Sequence, residues 1–223
     1  MPVNTPLTPD FLPRSAISRE IGREATETLL PIASLIGFVL GAIVTFEALA
    51  ITRGDLVISV TYGSLLVYGP LAPPLAGLLI ALRMSTSQAT EIQMQVRAGN
   101  EGALSRHSIS TRLKWMAAAG LAACSILQLS AAIGSILAIE WQLPGASGVA
   151  IDLFLTARPA YEWLLDGMLA MTISAMIGAA AIYAATAGAR NDREIPRTAG
   201  RSATLSMVAV IAPTALFWLI RAT

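Results

Sequence analysis

Charge is scarce in this chain. Asp, Glu, Lys and Arg make up 13% of its 223 residues, against about 25% in an average soluble domain. The formal net charge is only +1, and no dense basic run is present, so no nucleic-acid partner is expected. Cysteine occurs once, at Cys124, which excludes an intrachain disulfide. Histidine also occurs once, at His107, with no second histidine or cysteine nearby to complete a metal site. There is no GxxxxGK[ST] loop to cradle phosphates, no HExxH and no GxSxG. ATP hydrolysis by a P-loop, zinc-dependent proteolysis and nucleophile-elbow hydrolysis are therefore not expected of this chain. Neither an enzyme activity nor a cofactor or metal is implied.

What the chain does have is long apolar runs. Five are read, at Leu29–Ile51, Leu56–Leu82, Met116–Ile139, Trp163–Ala187 and Ala203–Ile220. About 20 apolar residues in a helix cross roughly 30 Å of hydrocarbon. Inside lipid the backbone must satisfy its own hydrogen bonds, which makes helices the expected form. The fold class predicted is thus an all-α integral membrane protein, one domain over residues 1–223.

The basic residues give an orientation. Arg14, Arg19 and Arg23 precede the first run, Arg83 to Lys114 lie between the second and third, and Arg190 to Arg201 between the fourth and fifth. Together these are twelve of the fifteen basic residues, leaving Arg53, Arg158 and Arg221 for the other side. The positive-inside rule puts the N-terminus in the cytoplasm and the C-terminus outside. The first 24 residues are polar and carry Pro2, Pro6 and Pro13, so no cleavable signal is expected and the first run reads as a retained anchor.

Finer features follow along the chain. Residues 1–9 read as a disordered tail. Over residues 10–28, Phe11, Leu12, Ile17, Ile21 and Ala25 recur near every fourth position among charges, the pattern of a helix lying in the headgroup region. Gly37 and Gly41 form a GxxxG step, which lets another helix backbone approach closely. Glu47, near the outer end of the first run, marks either a polar cavity or the interface. Pro70, Pro73 and Pro74 crowd the middle of the second run, where they must kink or break a helix. The polar region 84–112 is too polar to span and too long for a turn, and reads as a cytoplasmic helix or helical pair open to a partner. Glu162 and Asp166 are the other acids near a membrane edge, and no chain of acids suggests a proton relay.

The order of these features resembles the MlaE-type permeases, the membrane subunits of bacterial lipid-transporting ABC systems that work with MCE-domain proteins. The likeness covers most of residues 18–222. Leu29-Leu30-Pro31-Ile32, Gly37 and Gly41-Ala42-Ile43-Val44 are similar to that family's first span. Gly69-Pro70-Leu71-Ala72-Pro73, Ala81-Leu82-Arg83 and Ala89-Thr90-Glu91-Ile92 resemble its R-E-L-G-P…A-G-R…A-A-E-[IL]-G run, with Pro73, Arg83 and Glu91 on the motif positions. Gly200-Arg201-Ser202-Ala203-Thr204 is similar to the G-R-A-T-T that opens its last span. Gly69 and Pro70 stand where the motif has Arg-Glu, the stretch after Glu101 is shortened, and a lysine the family often carries in its fourth span falls among Met168, Ala170 and Met171 here.

The resemblance implies an N-terminal interfacial helix, five transmembrane helices and a cytoplasmic coupling helix between the second and third spans. It implies a bacterial inner-membrane permease that moves phospholipid or another hydrophobic molecule. Its partners would be a separate ABC ATPase, an MCE-domain protein and a second permease, identical or not. Glu47 and Arg53, with Leu71 and Pro73 at the break, would contact the lipid. Glu91, Arg97 and Glu101 would form the ATPase-docking surface. The alternatives are a scaffold that anchors partners without translocation, or one half of a heterodimeric permease.

Overall fold

The computed structural model describes residues 14–53, 55–63, 69–99, 101–190 and 195–222. The tail expected to be disordered, together with Phe11 and Leu12, lies outside them. All regular structure among the described residues is helical. Helix α1 (Arg14–Glu24) passes through a wide π turn (Ala25–Leu29) into α2 (Leu30–Ile51). Then come α3 (Leu56–Gly63), α4 (Ala72–Arg97), a 3-10 turn (Glu101–Leu104), α5 (Arg106–Gln142), α6 (Ser147–Ala157), α7 (Ala160–Arg190) and α8 (Ile195–Ala222).

Four helices among the described residues are long and apolar enough to cross a bilayer: Ile17–Ile51, Arg106–Gln142, Ala160–Ala189 and Ile195–Ile220. They correspond to the first, third, fourth and fifth apolar runs. The second run is shared between α3 and α4. These two pieces have different main neighbours, α2 and α6 for α3, but α5, α7 and α8 for α4. Pro73 and Pro74 fall in the first turn of α4, where a missing N–H leaves no helix acceptor unserved and the fixed φ suits a start. The prolines thus begin a helix here.

Helix α5 is the centre of the bundle. The most apolar stretch of α5 is 61% buried, against 17% for that of α8. Small residues on opposite faces of α5 explain why. A Cβ on Gly37 would overlap the Leu127 carbonyl oxygen, one on Gly41 would overlap that of Ala131, and one on Gly134 would overlap that of Phe38. The GxxxG step of α2 and its counterpart on α5 therefore bring the two backbones into contact, the geometry expected where dispersion supplies most of the packing energy. Ser135 Oγ donates to the Gly41 carbonyl at 3.0 Å and Ser130 meets Ser34 at 3.1 Å, adding polar ties across the same seam. On the other side, Gly120 receives Ser174 of α7. Cys124 lies buried in this core beside Leu127 and Ile173.

Two segments depart from expectation. The stripe Ile17, Ile21, Ala25 and Leu29 is buried against the bundle, continuing into Ala33. A four-residue repeat outruns a 3.6-residue helix by about 40° per step. The π turn at Ala25–Leu29, with its wider i→i+5 bonding, takes back part of that rotation and keeps the stripe on α5. Of the single helix or helical pair expected over the polar region 84–112, the structure has the pair, formed by extensions of the long helices and largely buried. Helices α4 and α5 run straight through it as two arms of a hairpin, turned by Gly99 at φ +80° and the 3-10 turn, with Ser105 capping α5 through the Ser108 N–H at 3.2 Å. Met84, Ser85, Gln88, Ala89, Ile92 and Gln93 are buried along it.

Candidate functional site

The end of the bundle where α2 turns into α3 holds a groove between these two helices. Thr52 and Arg53 turn the chain, Arg53 adopting φ 56°, so that α3 folds back beside the end of α2. Asp55 accepts the Ile58 N–H at 3.1 Å and starts α3, while Thr52 and Ser59 join by their hydroxyls at 2.8 Å. The space left between the helices is about 620 Å³, lined by Ile43, Val44, Glu47, Ala48, Ile51, Thr52 and Ile58. Glu47 is exposed, and among the described residues it is the one charged side chain of the lining.

The residues expected to contact lipid are not gathered in one place. Glu47 lines this groove. Arg53 is exposed on the turn beyond it, Leu71 is 43% exposed just ahead of α4, and Pro73 is buried in the first turn of that helix. Only Glu47 of the four lines the groove.

A second polar assembly lies at the start of α7. Glu162 and Asp166, four apart, share one face of α7, and Arg158 stands just ahead of that helix in the extended α6–α7 link. Arg158 Nε contacts Glu162 at 2.9 Å, and Arg158 Nη1 contacts Asp166 at 2.7 Å. Gln128 reaches across from the middle of α5 and donates Nε2–H to Asp166 Oδ2 at 3.0 Å. The guanidinium also lies over the Trp163 ring, 5.4 Å from its centroid. Burial alone would lower the Arg158 pKa, but the bonds to Asp166 and Glu162 outweigh it and hold the guanidinium above its ordinary value. Arg158 and Asp166 are only 5% and 1% exposed, so both charges are sealed from solvent. Gly69, at the proline-rich break, faces this cluster: a Cβ there would come within 2.8 Å of Arg158 Nη2.

Sequence reasoning noted the two acids and missed the assembly. The i, i+4, i+8 stripe was the available signal. The contribution of Gln128 had none, because it depends on how α5 and α7 pack.

The expected docking residues divide in a similar way. Glu91 turns inward, where buried Arg112 holds it by two bonds, Nη2–Oε1 at 2.9 Å and Nη1–Oε2 at 3.3 Å. Gln88 accepts from the same guanidinium, and Gln95 donates to Glu91 at 2.6 Å. Arg97 is exposed at the end of α4, and Glu101 opens the 3-10 turn. Beside this hairpin a polar cleft of about 420 Å³ lies between α1 and α4, lined by Glu20, Arg23, Glu24, Glu27, Thr28, Arg83 and Ser87. Ser87 closes one side of it by donating to Glu24 at 2.8 Å. Among the described residues no group of His, Cys, Asp and Glu is placed to hold a metal ion.

The fold defines a helical protein of the multi-pass membrane class. Comparison of the chain with family models, curated proteins and solved structures finds no match.

Proposed function

We propose that this chain is the permease subunit of an ATP-driven transporter that moves a hydrophobic molecule, phospholipid or another, between bacterial membranes. In this reading it crosses the inner membrane five times, α3 and α4 together making the second crossing, with the N-terminus in the cytoplasm. ATP hydrolysis belongs to a separate ATPase that docks at the α4–α5 hairpin, with Arg97 and Glu101 near its tip. An MCE-domain protein and a second permease complete the assembly. The chain itself performs no covalent chemistry, and ATP binding by the partner shifts its conformational equilibrium.

The observation that carries this reading is the groove between α2 and α3. Its apolar walls and single carboxylate combine what an amphiphile needs, a greasy channel with a polar fixing point. A supporting feature is the Arg158–Glu162 pair at Gly69, which brings opposite charges to the place where the resembled motif has Arg-Glu.

Photocrosslinking residues at Val44 and Ile51, in the groove wall, test the proposal. They should capture radiolabelled lipid in cells several-fold more than a residue at Leu129, which is 62% exposed on α5. Equal capture at all three positions would mean ordinary annular lipid and would favour the scaffold reading.

A further inference from the structure

We infer that the groove between α2 and α3 selects an amphiphile with a positively charged head, a protonated amine above all, and disfavours an anionic one. The inference rests on the transport reading and names the substrate class of the same site.

The first argument is charge complementarity. Glu47 is the one charge in a lining otherwise made of Ile43, Val44, Ala48, Ile51, Ile58 and a threonine. That threonine is already engaged, since Thr52 Oγ1 bonds the Ala48 carbonyl at 2.8 Å and Ser59 at 2.8 Å. No ion pair or hydrogen bond of Glu47 is present among the described residues. A carboxylate at membrane depth is costly until something pairs with it, and a cationic head group removes that cost while gaining charge-assisted hydrogen bonds. A phosphate or carboxylate head would bring like charges together in a medium that screens them poorly.

The neighbouring charges do not reverse this. Arg53 follows on the turn, outside the lining, and its long side chain is free to reach the headgroup layer. Asp55 is the other charge there and caps α3. The groove and its rim thus carry two acids and one base. The volume adds a size limit. About 620 Å³ falls within the range of roughly 300–1,000 Å³ typical of small-ligand sites. A single-chain amphiphile suits that space better than a whole diacyl lipid.

The test uses the full chain in vesicles of zwitterionic phosphatidylcholine, whose surface does not itself concentrate cations. Three diazirine probes share an eighteen-carbon chain and differ only in head: octadecylamine, octadecanol and octadecanoate. After illumination, labelled peptides are mapped by mass spectrometry. The amine should label Ile43–Ile58 about tenfold more than the acid, the factor expected of one charge-assisted bond, with the alcohol between them. Glu47→Gln should bring amine and acid to parity, and Glu47→Lys should reverse the preference. Both changes are at an exposed position, so folding is retained. Equal labelling of the groove by all three probes, or an amine preference that survives Glu47→Gln, overturns the head-group assignment and leaves the transport reading standing. Groove labelling no greater than that around Leu129 with any probe overturns both.

Discussion

Two buried arginines organise opposite ends of this bundle, and they do so differently. Arg158, in the extended link between α6 and α7, pairs with two acids of α7 and reaches Gln128 only through Asp166. Arg112 on α5 pairs across the hairpin with Glu91 and Gln88 on α4. The Arg158 cluster is sealed, Asp166 being 1% exposed at its side chain, whereas Glu91 keeps 21% of its side chain open. A sealed pair is expensive to break because the surviving charge is left dry. A half-open one can recruit water. The Arg158 cluster should therefore behave as a structural lock, and the Arg112 cluster as a joint that tolerates loosening.

The largest expected effect comes from Asp166→Ala, which removes one acid while Arg158 stays buried. It should cost about 3–5 kcal/mol, read as a lowered midpoint of unfolding in detergent. A loss under about 1 kcal/mol, the size of an exposed ion pair, would end the contrast between the two ends. Glu91→Ala should cost less, about 2 kcal/mol, in line with hydrogen bonds to a charged group. Its deficit should shrink when Arg112→Met is added, since the uncompensated charge is then gone. If Glu91→Ala proves costlier than Asp166→Ala, the ranking of the two clusters is reversed.

Gly69→Ala sharpens the same comparison from the other side. The added methyl meets a guanidinium that two carboxylates hold in place, and overpacking of this kind costs about 1–2 kcal/mol. The penalty should disappear in an Arg158→Ala background, a coupling that a double-mutant cycle reads directly. The smallest effect is expected at Arg53, whose φ of 56° is unfavourable for a side chain. Arg53→Gly relieves about 1–2 kcal/mol of left-handed strain and gives back about half as glycine entropy. A small rise in the unfolding midpoint is the expected result, and a fall would mean that the Arg53 side chain contributes a stabilising contact.

These differences also explain what was legible beforehand. Hydropathy finds residues suited to lipid, so the runs containing α2, α5, α7 and α8 were plain. It assigns polar residues to water, and for that reason the region with Gln88, Gln93 and Arg112 read as an exposed coupling helix. Those side chains are polar but buried, and Gln88 and Arg112 bond each other between α4 and α5. The proline cluster was expected to kink or break the second run; residues 64–68 lie outside the described structure, and the proline pair at 73 and 74 opens α4. Helix α6 was missed altogether. Its residues Val149, Ile151, Leu153, Phe154 and Leu155 lie between the third and fourth apolar runs, where no helix was expected. Glu140 in fact closes the turn before α6 by accepting from the Gly145 and Ser147 N–H groups. In the site, Glu47 was found from its isolation in an apolar run. Gln128 was out of reach, because its partner comes from a helix 38 positions further on.

The lone thiol in the middle of α5 gives the molecule a built-in clock. Cys124 is 1% exposed where α2, α5 and α7 meet, so an alkylating dye reaches it only when that seam parts. The rate at which the native protein takes up such a label therefore counts openings of the central seam directly. No tag or substitution is required, and the seam can be timed in the membrane, with and without whatever partners bind it.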